Sequence, residues 1–155
     1  MEQINGGCFV SFEQLNGVEL SVMRHELRLS IKEVSTTLGV SERLWRYWEM
    51  DERPMRPEIG DTMRMIMSEQ TALLESIYAE IVNNPELEPD SLPWYPDYAV
   101  FCSLYPQRAN PVAWRFYQSI VADMFVTLTT VTLHMDSRVQ PVGALLGWLQ
   151  ITQKG

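Results

Sequence analysis

Two histidines and two cysteines among 155 residues leave little for metal or nucleophilic chemistry. His25 and His134 have no companion at a metal-ligand spacing and read as ordinary surface or core residues. Cys8 and Cys102 form no spaced motif and read as free thiols or small apolar side chains. Asp97, Asp123 and Asp136 lack a His or metal partner, and no phosphate-binding glycine loop or nucleophile motif occurs. No metal, cofactor or catalytic residue is therefore expected, and the chain does not read as an enzyme. No apolar run approaches the roughly 20 residues needed to span a bilayer. Residues 1–20 hold Glu2, Glu13 and Glu19 but neither Lys nor Arg, unlike a secretory signal. A cytoplasmic protein with no membrane partner is expected.

Basic residues are also scarce. Twelve Lys and Arg face 20 Asp and Glu, a net charge of −8. That balance excludes a protein that coats nucleic acid without selection, because neutralising phosphates takes cations. The distribution is uneven. Residues 20–57 hold seven of the twelve cations: Arg24, Arg28, Lys32, Arg43, Arg46, Arg53 and Arg56. The same stretch holds six acids: Glu26, Glu33, Glu42, Glu49, Asp51 and Glu52. An acidic body would repel DNA except where this segment faces it, which suits a site-specific binder. An ordinary solvated surface would carry the same charges.

Hydrophobic residues make up 46%, enough for a packed core. Residues 1–16 form an N-terminal extension in which Cys8, Phe9, Val10 and Phe12 suit a short strand or an arm. Val18, Leu20, Met23, Leu27 and Leu29 predict a first helix over 17–29. Ser30-Ile31-Lys32-Glu33 has the form of a capping box, so a second helix starts there. It runs to Leu38 and stops at Gly39. Ser41 caps a third helix through about Met50, and 51–57 is a turn with Pro54 and Pro57. Pro57 opens a long fourth helix, periodic from Ile59 to Ile81 and ending near Asn83. The acidic, proline-rich stretch 84–97 reads as a linker or an irregular connection. Residues 98–105 suit a short helix or strand. Pro111 opens another strong helical pattern, whose β-branched tail Val126–Val131 leaves its end open. The apolar 142–151 is of undefined type. The fold class is mainly α. An N-terminal helix-turn-helix of the Cro or phage-repressor kind, 17–83 with its long following helix, precedes a helical or α+β dimerisation part over 98–155.

A helix-turn-helix needs a small residue where its helices meet, a glycine at the turn and apolar residues at fixed offsets. Ile31 opens such a unit here. Val34 and Leu38 face inward, Ser35 is the small residue, Gly39 turns and Val40 plugs the turn. Trp45 and Trp48 bury the inner face of the third helix. The opposite face then carries Ser41, Glu42, Arg43, Arg46 and Tyr47, the candidate base contacts. Arg43 and Arg46 can each grip guanine O6 and N7, Glu42 can accept from a cytosine amine, and Tyr47 can pack on a thymine methyl or donate to a phosphate. Ser30, Lys32, Arg53 and Arg56 lie where phosphate contacts are expected. As plain structure, all of these are solvated polar side chains on a packed helix.

The segment 18–50 with Trp45-Arg46-Tyr47-Trp48-Glu49, and the later Asn110-Pro111-Val112-Ala113-Trp114-Arg115 with Gln118-Ser119, resembles the anti-CRISPR-associated helix-turn-helix autorepressors and their uncharacterised enterobacterial relatives. The similarity spans roughly residues 18–128. It implies a homodimeric repressor on an inverted repeat near its own promoter, with base reading carried over to Arg43, Arg46 and Tyr47. Residues 1–16 and the tail after about Leu128 depart from the pattern.

The partners expected are double-stranded DNA and a second copy of the chain. Trp114, Phe116, Tyr117, Ile120, Val121, Met124 and Phe125 are the candidate dimer anchors, since their helix has more apolar positions than a small domain needs. The methionines around Met63-Arg64-Met65-Ile66-Met67 read as core filling in a helix, and Trp94, Trp114 and Trp148 as core or dimer anchors. Two alternatives compete: an antitoxin-like interaction protein whose C-terminal half binds a partner, and an RNA-binding regulator using the same basic face.

Overall fold

The computed structural model describes residues 14–135 and 140–150. The strand or arm expected around Cys8, Phe9, Val10 and Phe12, and the residue Asp136, lie outside the described residues. The rest is mainly helical. Helices α1 (Gly17–Glu26), α2 (Ile31–Leu38), α3 (Glu42–Glu49) and α4 (Pro57–Asn83) come first. Then follow β1 (Ser91–Pro93), α5 (Tyr98–Leu104), α6 (Pro111–Thr127), β2 (Thr132–His134) and α7 (Gly143–Gln150).

Local chemistry sets nearly every helix start. Asn16 and Ser30 each form a reciprocal capping box with the Glu three residues on, Glu19 and Glu33. Ser41, Asp97 and Asn110 accept backbone N–H groups of the first turns of α3, α5 and α6. Pro57 and Pro111 occupy the first helical position, where no N–H is needed. The first helix is shorter than its periodicity predicts. It stops at Glu26, and Arg28 adopts a left-handed φ of 62°. Leu27 and Leu29 are still buried, so the apolar spacing continued through a turn.

Within 84–97 the first residues, 84–87, are exposed, but 91–95 pack into the core. After a single 3-10 turn at Pro85–Leu87 the chain enters β1. Leu92, Pro93 and Tyr95 are buried. The Tyr117 hydroxyl donates to the Pro93 carbonyl at 2.7 Å. Trp114 Nε1 and Gln118 Nε2 both donate to the Tyr95 carbonyl, at 2.8 and 3.0 Å. β1 pairs in parallel with β2, Leu92 opposite Leu133, because the α5–α6 crossover returns the chain in the same direction. The β-branched tail therefore holds the end of a helix, at Thr127, followed by a strand. The apolar C-terminal segment is α7, packed on α4. There Glu69 accepts from Trp148 Nε1 at 2.8 Å and Glu80 accepts from the Ala144 N–H at 3.1 Å.

This packing consumes the helix read as a dimer face. Trp114, Phe116, Tyr117, Ile120, Val121 and Met124 are each at most 7% exposed inside their own chain. Phe125 alone of that set is open, at 48%. Periodicity marks a buried face but cannot say whether the cover is the same chain or a copy. Here it comes from the same chain: Phe116 stacks on Trp148 of α7 at 4.7 Å, Gln70 of α4 donates to Ser119, and residues 93–95 close over Trp114 and Tyr117.

Tyr95, Tyr105 and Tyr117 cluster with Phe101, the Tyr95 and Tyr105 hydroxyls 2.9 Å apart. Burial pushes all three phenols above their ordinary value near 10. A raised folded-state pKa means the native state holds protons that the unfolded state releases. Their contribution is complete below pH ~10 and is lost as pH rises beyond it. Urea midpoints measured from pH 8 to pH 11 should fall above pH ~10. Tyr117→Phe should flatten that fall while lowering stability at pH 8 by about 1 kcal/mol through the lost hydrogen bond.

Candidate nucleic-acid interface

The exposed polar side chains of α3 owe their direction to what lies beneath them. Trp45 and Trp48 are 0% and 2% exposed and meet edge to face, with centroids 5.8 Å apart. Both belong to a core that also holds Leu20, Leu27, Leu29 and Val34. Trp45 Nε1 has no acceptor among the described residues, so that indole is held by packing alone. Ser35, 1% exposed, is the small residue α2 needs where it meets α3. Gly39 sits at φ 72°, and the pair Val40 N–H to Ser35 carbonyl and Gly39 N–H to Thr36 carbonyl closes α2. A residue with a Cβ is strained at that φ.

Backbone and charge then tie α3 to α1. A side-chain carbon at Gly17 would overlap the backbone oxygens of Trp48 and Glu49, so α1 begins against the end of α3. The Gly17 N–H donates to Asp51 Oδ1 at 2.7 Å. Arg24 grips both Glu49 oxygens through Nε at 3.1 Å and reaches the Leu29 carbonyl through Nη1 at 3.0 Å. Its charge is thereby spent on architecture, although sequence counts it with the basic segment.

The outward face carries what the sequence predicted. Ser41, Glu42, Arg43 and Arg46 are exposed, and Tyr47 is half-buried. The Ser41 hydroxyl is occupied as the helix cap. Arg43 Nε donates to the Tyr47 hydroxyl at 3.0 Å, and Arg53 lies over the Tyr47 ring at 4.6 Å. Arg43, Tyr47 and Arg53 therefore form one cluster, joining two expected base contacts to an expected phosphate contact. Arg43 bonds through Nε, and among the described residues its two terminal nitrogens, which match guanine O6 and N7, make no hydrogen bond. Arg46 pairs with Glu42 across one helical turn at 3.5 Å, both side chains about half exposed. Such a surface pair is weak and gives way readily to a better partner.

The remaining expected phosphate contacts are more dispersed. Arg56 lies 6.0 Å from the Trp48 ring centroid. Lys32 is exposed on the first turn of α2, and the Ser30 hydroxyl oxygen accepts within its own capping box. Arg28, exposed in the α1–α2 turn and 5.7 Å from the Trp94 ring centroid, adds a cation to which sequence reasoning gave no role. Its place in the basic segment was the available signal. Among the described residues no group of His, Cys, Asp and Glu could hold a metal ion, and no helix is long and apolar enough to cross a membrane.

Trp48→Ala should cost roughly 3–5 kcal/mol, the range for truncating a buried aromatic. Arg46→Ala, on the other face of the same helix, should stay within about 0.5 kcal/mol of the parent chain. Urea unfolding of both variants checks this pair. A Trp48→Ala midpoint equal to that of the parent would contradict the assignment of the buried face.

The family model described as Aca2/YdiL-like matches residues 15–133, which takes in α1 to α6 and the first two residues of β2. No curated protein matches the chain.

Proposed function

The chain belongs to the Aca2/YdiL-like family, a family of helix-turn-helix DNA-binding transcriptional regulators rather than enzymes, and from that premise we propose that it is a sequence-specific repressor that binds an inverted-repeat operator as a homodimer and controls its own promoter. The observation that carries the reading is the two-sidedness of α3. One side is fixed by Trp45 and Trp48, and the other presents Arg43, Arg46 and Tyr47 beside Arg53. A packed helix that offers arginine forks to solvent has the form of a major-groove reader. A single helix of this length covers only a few base pairs, so specificity calls for two copies.

Residue roles follow from position. Arg43 and Arg46 read guanines, Tyr47 holds Arg43 in place, and Glu42 and Ser41 border the same bases. Ser30, Lys32, Arg53 and Arg56 grip phosphates on either side, the serine through its hydroxyl proton, since the cap uses that oxygen only as an acceptor. The dimer face lies outside the buried α6 core, and Phe125 with its exposed neighbour Val126 is its nearest apolar surface.

The test starts from an operator selected out of a random DNA pool, titrated with single-base variants at two salt concentrations. Arg43→Ala or Arg46→Ala should each remove roughly 1–3 kcal/mol per half-site and flatten the preference at one base position. Arg53→Ala and Arg56→Ala should weaken binding on every sequence alike and make the salt dependence shallower. Equal loss on all variants from Arg43→Ala and Arg46→Ala would remove them from base reading. Tighter binding to structured RNA than to any selected duplex would replace DNA as the target. Light scattering at micromolar concentration should give the mass of a dimer, and a monomer would count against the proposed symmetry.

A further inference from the structure

Helices α2 and α6 are joined by an ion pair that the role of neither helix explains by itself. Arg115 of α6 donates through Nε to Glu33 of α2, at 2.9 Å to one oxygen and 3.2 Å to the other. Both partners are held from behind. The Glu33 carboxylate also accepts the Ser30 N–H at 2.9 Å, as the closing half of the α2 capping box. Arg115 donates through Nη1 to Gln118 Oε1 at 2.7 Å and lies 3.9 Å from the Trp114 ring centroid. Gln118 and Trp114 in turn donate to the same backbone carbonyl, that of Tyr95. The chain of contacts therefore runs from the first turn of α2 to the buried centre of the C-terminal half. Arg115 and Gln118 also belong to the sequence segment that carries the family resemblance, where no DNA role absorbs them.

We infer that Glu33 and Arg115 are a positioning pair that fixes the angle of the α2–α3 unit against the rest of the chain, and so sets the half-site spacing the protein accepts. The inference rests on the proposed dimer. In a two-fold dimer the distance and twist between the two α3 helices depend on how each is held against the body that carries the dimer face. One added base pair moves a half-site by about 3.4 Å and turns it by about 35°. A unit seated only by apolar contacts can slide or tilt to follow such a change, because dispersion and apolar burial have little directionality. A guanidinium–carboxylate pair, here one Nε–H shared between the two Glu33 oxygens, is a charge-assisted and directional bond and resists it. Neither Glu33 nor Arg115 need touch DNA.

Arg115→Met keeps an unbranched side chain but removes the guanidinium that lies over Trp114 and pairs with Glu33; Arg115→Lys keeps the charge but not the planar group. Each variant is titrated by fluorescence anisotropy against selected operator duplexes. The set holds two half-sites at the selected spacing, the same half-sites one and two base pairs further apart, and a single half-site. The parent chain should prefer the selected spacing, and Arg115→Met should reduce that preference about tenfold while leaving single-half-site affinity within about twofold. Arg115→Lys should recover part of the preference. Should Arg115→Met fail to fold, Glu33→Gln serves instead, since its amide oxygen still closes the Ser30 cap while the ion pair is gone, and the same relaxation is expected. An unchanged spacing preference in these variants overturns the inference alone. So does a single-half-site affinity that falls as far as the full-site affinity, since the pair would then act locally on α2. A parent chain indifferent to spacing overturns the dimer reading and this inference with it.

Discussion

A helix of eight residues does not hold together in water by itself, so α3 exists only because Trp45 and Trp48 are buried. Much of the N-terminal half follows from that constraint. The two indoles take up one side of the helix, and α1 with the turn after it must lie against them through Leu20 and Leu27. Gly17 is required where α1 meets the backbone end of α3, because no larger residue fits. Gly39 is required where α2 turns back. Once the buried side is fixed, the directions of Arg43, Arg46 and Tyr47 are fixed as well.

The molecule uses its few cations in two ways. Arg24 and Arg115 are largely withdrawn from solvent and bound to Glu49 and Glu33, where they join helices that are distant in sequence. Arg43, Arg46 and Arg53 stay at the surface, held among the described residues by a phenol, an exposed carboxylate and an aromatic face. The first group orients the scaffold. The second remains available because its present partners are cheap to leave. In an acidic chain this division leaves Arg43, Arg46 and Arg53 exposed or half-exposed together without raising the net charge.

The C-terminal half is built around α6. Its aromatic and aliphatic side chains meet α4 and α7, while Tyr95, Phe101 and Tyr105 close over Tyr117. The stretch from residue 91 to residue 95 belongs to this core even though its prolines and acids look like a spacer. Its backbone carbonyls, not its side chains, supply the acceptors for Tyr117, Trp114 and Gln118. Backbone acceptors are present in every residue, so composition says nothing about which will be used.

What the sequence determined is local. Ser30, Gly39 and Ser41 set the limits of α2 and the start of α3, because a side-chain oxygen at an N-cap and a glycine at a left-handed turn act within one helical turn. Pro57 and Pro111 start their helices for the same reason, and the spacing of Trp45 and Trp48 identified the buried face of α3 and hence the outward one. The tertiary structure decided everything that depends on distant partners. It turned the excess apolar surface of α6 inward against α4 and α7, where periodicity left a second copy equally acceptable. It ended α1 at Glu26, although Leu27 and Leu29 stay in the apolar pattern. It separated Arg24 and Arg115 from the cations left at the surface, since an arginine's role depends on whether a carboxylate 25 or 82 residues away folds into reach. Caps and turns are fixed by neighbours in the chain; the cover of an apolar face and the partner of a charge are fixed only when the whole chain closes.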